Sequence, residues 1–104
     1  MTKRLTKIFE QLPTCNTFAD VGCDHGYLAK AMIQSGKCKR VIISDISAPC
    51  LQKAKDLLSE ELQSGVATAV VSNGFQNVPP CDLALIAGMG GEEIASILQE
   101  KLQN

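Results

Sequence analysis

Apolar positions along this chain recur first at helical spacing and then in short alternations of β-branched runs and helical stripes. Leu5, Ile8, Phe9 and Leu12 predict a helix over residues 2–12, which Pro13 ends. Phe18 to Gly22 reads as a short buried strand. Tyr27 to Ser35 reads as a helix with Leu28, Ala31 and Met32 inward and Gly36 as its C-terminal cap. Val41-Ile42-Ile43-Ser44, continuously apolar and ending at Asp45, predicts a strand buried on both faces. A single helix is expected from Ala48 to Gln63. Ser47 caps it, Pro49 sits in its first turn, and Leu51, Ala54, Leu58 and Leu62 face inward, with Gly65 closing it. Val66 to Val71 and Cys81 to Ile86 are the third and fourth strands, and Asn73-Gly74 is a turn between them. After the flexible Gly88-Met89-Gly90-Gly91, a last helix is expected to about Leu102. Glu92 and Glu93 lie at its positive end, and Ile94, Ile97, Leu98 and Leu102 share one face.

That order predicts an α/β, Rossmann-like parallel sheet in the spatial order 3-2-1-4. The link from Ser72 to Pro80 is too short for a full helix, so a loop must make that crossover. Strand 4 is then expected to be an uncovered edge, and an edge of this kind invites self-association.

Composition narrows the class. A chain of 104 residues is one small domain, and 45% hydrophobic content argues a folded core. A net charge of −1 gives no global attraction to nucleic acid or membrane. Aromatic content of 4% excludes a base-stacking platform of the single-strand-binding type. The five cysteines (Cys15, Cys23, Cys38, Cys50 and Cys81) form no C-x-x-C pair and read as thiols in a reducing cytoplasm. No apolar run approaches the length of a membrane span.

The candidate chemistry lies at the carboxyl ends of the strands, where open parallel sheets bind ligands. Asp20, Gly22, Cys23, Asp24 and Gly26 follow strand 1, Asp45 follows strand 2, Asn73 and Gly74 follow strand 3, and Ala87 and Gly88 follow strand 4. A dinucleotide fingerprint would want glycines at 22, 24 and 27, but Asp24 and Tyr27 stand at two of these. A P-loop's Gly-Lys-Ser/Thr is absent. Asp45 stands where an acidic residue accepts hydrogen bonds from both ribose hydroxyls. Ile46 offers a face for adenine or for the core. Asn73 can donate and accept at an adenine edge, though Asn-Gly is equally a turn pair. Asp24 is read as contacting the ligand rather than as a solvated turn residue. His25 is the only histidine. Cys23, Asp24 and His25, three consecutive residues with no distant partner, do not make a metal site.

The pattern Asp-x-Gly-x-Asp-x-Gly over residues 20–26 resembles the first motif of S-adenosylmethionine-dependent methyltransferases. The resemblance implies that Asp20 receives the cofactor's methionine end, with Gly22 and Gly26 making room. Ala19 to Leu28 together with Ile86-Ala87-Gly88-Met89-Gly90-Gly91 resembles more specifically the bacterial tRNA adenine-N1 methyltransferases that modify adenine 22. The likeness covers essentially the whole chain. It implies methyl transfer from S-adenosylmethionine to N1 of an adenine in tRNA, with Gly88 and Met89 lining the target side and His25 and Tyr27 placed to stack on or hydrogen-bond the base. That family continues through further strands into a helical C-terminal domain that helps hold tRNA. Residues 1–104 are therefore expected to be the N-terminal part of the methyltransferase domain.

Overall fold

The structure, a computed structural model, describes residues 2–86 and 93–96. Helix α1 (Lys3–Gln11) is followed by β1 (Thr17–Val21), α2 (Tyr27–Gln34), β2 (Arg40–Asp45), α3 (Ala48–Leu57), α4 (Ser59–Ser64), β3 (Ala67–Val71), β4 (Leu83–Ile86) and β5 (Glu93–Ser96). The strands form one sheet in the order β3-β2-β1-β4-β5. The first four run parallel in the expected 3-2-1-4 arrangement, with Phe18 opposite both Val41 and Leu83.

Strand alternation sorts the core into two layers. Phe18, Val41, Ile43, Leu83 and Leu85 face the helices, where they meet Leu12, Leu28, Met32, Leu51, Ala54 and Leu58. Ala19, Val21, Ile42 and Ala84 face the other way, and residues of the link before β4, Phe75, Val78 and Cys81, cover them. A loop thus does on this face what a crossover helix does on the other. All five cysteines are free thiols.

Two expectations fail in the second half of the chain. The helix read as continuous from Ala48 to Gln63 breaks at Leu58, whose φ of −104° and ψ of 26° leave the helical well. Leu58 is fully buried, so seating it in the core outweighs one turn of regular helix. The last helix fails over Glu93–Ser96, which pairs with β4 as an antiparallel strand, Ile86 opposite Glu93 and Leu83 opposite Ser96. An open β4 edge leaves a row of backbone N–H and C=O groups unpaired, and this hairpin satisfies them. The uncovered strand-4 edge proposed for self-association is therefore occupied. The remainder of that expected helix lies outside the described residues.

Candidate functional site

The turn after β1 is built from conformations few residues tolerate. Gly22 and Gly26 have φ of +79° and +82°, and Asp24 between them adopts φ of +52°. Gly26 is required twice over. A Cβ there would lie 2.9 Å from Ala54 Cβ and 3.2 Å from Ala54 Cα, so this glycine lets the turn seat directly on α3. The turn is tied to the neighbouring strand by the amides of Gly22 and Cys23, both donating to Ser44 O at 2.8 and 3.0 Å. Asp45 completes the tie. Its Oδ1 accepts from Ser47 N at 3.0 Å and its Oδ2 from Asp24 N at 3.4 Å.

These ties shape a cleft of about 800 Å³ across the carboxyl ends of the strands. Asp20, Gly22, Cys23, Asp24, His25, Tyr27, Asp45, Ile46, Asn73 and Gly74 all line it, so ten of the residues read from the sequence are brought together. Gly26 is not on the wall; its place is beneath the turn, against α3. Ala87, Gly88 and Met89 lie outside the described residues. Sequence reading missed Thr2, Arg4 and Leu5, since nothing in the pattern of α1 says that its first turn reaches the far end of the sheet. It also missed Ser72, whose buried hydroxyl donates to Gly74 O at 2.8 Å and accepts from Asn77 N at 3.0 Å, shaping the turn that carries Asn73. A serine before Asn-Gly was the available signal.

The electrostatics of the cleft are acidic. Asp20 is 3% exposed, and burial pushes its carboxyl from an ordinary 3.8 to about 7. The Asp45 and Asp24 charges push the same way, while the Ala29 amide in the first turn of α2 lowers it in part. The Cys23 thiol is pushed up to about 12, by burial first and then by Asp20 and Asp45, so it stays protonated and is no nucleophile. Tyr27 and Ile46 are exposed on the wall of this cleft. The His25 and Tyr27 rings lie stacked, 5.3 Å between centroids and 7° from parallel. Asp24 Oδ2 stands 3.3 Å from His25 Nδ1, a His–acid pairing not expected from the sequence. Among the described residues no group of three His, Cys, Asp or Glu side chains is placed to hold a metal ion.

A parallel sheet in this order, with acids and turns gathered at its switch point, defines an α/β domain of the nucleotide-cofactor-binding class. The chain belongs to the methyltransferase-domain family, which matches residues 1–104. It is similar to a candidate tRNA methyltransferase of Mycoplasma pneumoniae, 38% identical over 97 residues, which are 89% of this chain and 43% of that protein. It is 30% identical over 102 residues to the tRNA (adenine(22)-N(1))-methyltransferase of Bacillus subtilis, covering 95% of this chain and 42% of the other. Among solved structures, the M. capricolum TrmK complex with S-adenosyl-homocysteine superposes with a TM-score of 0.74 at 25% identity, over 85% of this chain and 41% of that one. The chain thus spans about two-fifths of the length of these relatives.

Proposed function

We propose that this chain binds S-adenosylmethionine in the acidic cleft and serves methyl transfer to N1 of an adenine in tRNA, residues 1–104 forming the N-terminal part of the methyltransferase domain. One observation carries the reading. Three carboxylates, Asp20, Asp24 and Asp45, converge on one cleft from the ends of two adjacent strands, and the charges that act on the most buried of them, Asp20, are those of the other two. A ligand of net positive charge, with an ammonium and a sulfonium against one carboxylate, fits that group of acids; a dinucleotide phosphate does not.

When bound, S-adenosylmethionine supplies a methyl group activated on a positive sulfur and carries a second positive charge on its amino group. Asp20 holds that amino end. Asp45 accepts one amide on each oxygen, those of Ser47 and Asp24, and keeps its remaining lone pairs for the ribose hydroxyls. Ile46 gives an apolar face to the cofactor's adenine, and Asn73 with Gly74 meets its edge. By the family resemblance, Gly88 and Met89 would line the target side. The stacked His25–Tyr27 pair offers a planar surface to the target base. Adenine N1 carries an in-plane lone pair and attacks without losing a proton first, so the protein's task is alignment rather than base catalysis. An adenine stacked in tRNA has to be flipped out to reach this surface. On this reading the protein works in the cytoplasm, which the free thiols support.

A second reading, cofactor binding without methyl transfer by these residues alone, is supported by the fate of the basic side chains. Lys37 Nζ donates to Phe9 O and Leu12 O at the end of α1, and Arg40 donates to Gly65 O at 3.4 Å. Fewer cations are then left for phosphates. Calorimetric titration separates the readings from a dehydrogenase: S-adenosylmethionine should give heat and NAD none. Asp45→Ala should weaken the cofactor by roughly 1–3 kcal/mol, the scale of hydrogen bonds to a charged acceptor. Tighter binding of NAD would overturn the methyltransferase reading. Mass spectrometry of treated tRNA should show little N1-methyladenosine from this chain alone; robust methylation would remove the second reading.

A further inference from the structure

We infer that Asp24 is a positioning residue that keeps the His25 proton on Nδ1, so that Nε2 accepts from the amino group of the target adenine. The inference rests on the methyl-transfer reading above and deepens it, because it says how the cleft selects its base. Asp24 Oδ2 lies 3.3 Å from His25 Nδ1. With the proton on Nε2, the Nδ1 lone pair would face a carboxylate oxygen at that distance and be repelled. With the proton on Nδ1 the contact is attractive, and the other nitrogen becomes the acceptor of the ring. Asp24 is itself held in place, since its own amide donates to Asp45 Oδ2 at 3.4 Å. Among the described residues nothing bonds Nε2, and His25 stands on the wall of the cleft.

The ring geometry leaves room for a base beside His25. The His25 and Tyr27 rings are 7° from parallel with centroids 5.3 Å apart. Rings in contact are separated by about 3.5 Å, so these two are slid past each other by about 4 Å. Part of the Tyr27 face beside the imidazole is thus left open, and Tyr27 is exposed. A purine lying on that part is nearly coplanar with His25 and meets its edge. The adenine amino group flanks N1, so an acceptor there fixes the base without covering the lone pair that attacks. As N1 bonds the methyl and the sulfur–carbon bond breaks, the positive charge passes to the adenine. Its amino hydrogens then become stronger donors, so the contact tightens in the transition state. A base with a carbonyl in that place would set lone pair against lone pair.

The chain has one histidine, so the nitrogen NMR signals of its ring report the tautomer without ambiguity. The experiment records them at pH 8 in the chain saturated with S-adenosylhomocysteine, then titrates adenosine and purine riboside, which lacks only the amino group. The spectrum should show the proton on Nδ1, and adenosine should bind roughly tenfold tighter, the scale of one hydrogen bond. Asp24→Gly, a residue that takes φ of +52° without strain, should move the proton to Nε2 and bring the two ligands within about threefold. A proton on Nε2 or on both nitrogens in the unsubstituted chain, or a spectrum unchanged by Asp24→Gly, would overturn the inference. So would the absence of a preference for adenosine, or an equal weakening of both ligands in Asp24→Gly, the mark of a merely structural role. Failure of either nucleoside to bind while S-adenosylhomocysteine does overturns the inference and leaves the cofactor site standing. Failure of S-adenosylhomocysteine itself to bind overturns the proposed function, and the inference with it.

Discussion

The two ends of the sheet are built from the same strands and show opposite design. At the amino end, charged side chains are consumed by the fold. Asp82 Oδ2 accepts from the amides of Asn16 and Thr17 at 2.9 and 3.2 Å, pinning the start of β1. Lys37 lies over the Phe9 ring, 4.3 Å from its centroid, while capping the last carbonyls of α1. At the carboxyl end Asp45 ties down the turn in the same way, but the acids there also gather on the wall of a cleft. Three acids crowd together, Tyr27 and Ile46 face solvent, and Asp24 holds a left-handed backbone. Local rules are satisfied where the chain only has to fold and broken where a ligand is to be met.

Three substitutions sharpen this comparison. The largest effect is expected at the hinge between fold and site. Gly26→Ala forces a side chain into φ of +82° and against Ala54, costing about 2–4 kcal/mol. Denaturant unfolding should show a lowered midpoint; a change under about 1 kcal/mol would mean the turn moves away from α3 freely. Asp82→Ala should cost about 1–3 kcal/mol by leaving two amides without their acceptor. Its S-adenosylmethionine affinity should be unaltered, and a weakened affinity would show that the two ends are not independent. Asp24→Gly should have the smallest effect on stability, below about 0.5 kcal/mol, because relief of the left-handed strain offsets the greater freedom of glycine in the unfolded chain. Cofactor affinity should still fall with the lost charge; full retention would return Asp24 to an ordinary turn residue.

How much of this was legible in sequence follows the same division. The strand order and the convergence of Asp20, Asp45 and Asn73 could be read because each strand is a largely apolar run and each candidate residue sits at or near its end. The break at Leu58 could not, since Leu51, Ala54, Leu58 and Leu62 keep helical spacing straight through it. Strand β5 could not, because four residues of Glu-Ile-Ala-Ser carry too short a pattern to separate strand from helix, and the open edge of β4 decides. Asp82 was invisible for another reason. The Asn16 and Thr17 amides that it accepts from lie across the fold, and local pattern holds no record of such distances.

The acidic cleft's fitness for a cationic cofactor can be tested through Asp20. Its carboxyl rises from 3.8 to about 7 in the folded chain, so the native state keeps a proton that the unfolded chain has released between those values. Ligand-free stability should therefore fall as pH rises from about 4 to about 7, and Asp20→Asn should flatten that slope. Arrival of positive charge beside Asp20 lowers its pKa again and expels the proton. Calorimetry of S-adenosylmethionine binding at pH 6, repeated in buffers of different ionisation enthalpy, measures that proton directly. Net proton release that disappears in Asp20→Asn is the predicted result; heat independent of buffer, or proton uptake, would contradict a cleft built around a buried carboxylate awaiting a cation.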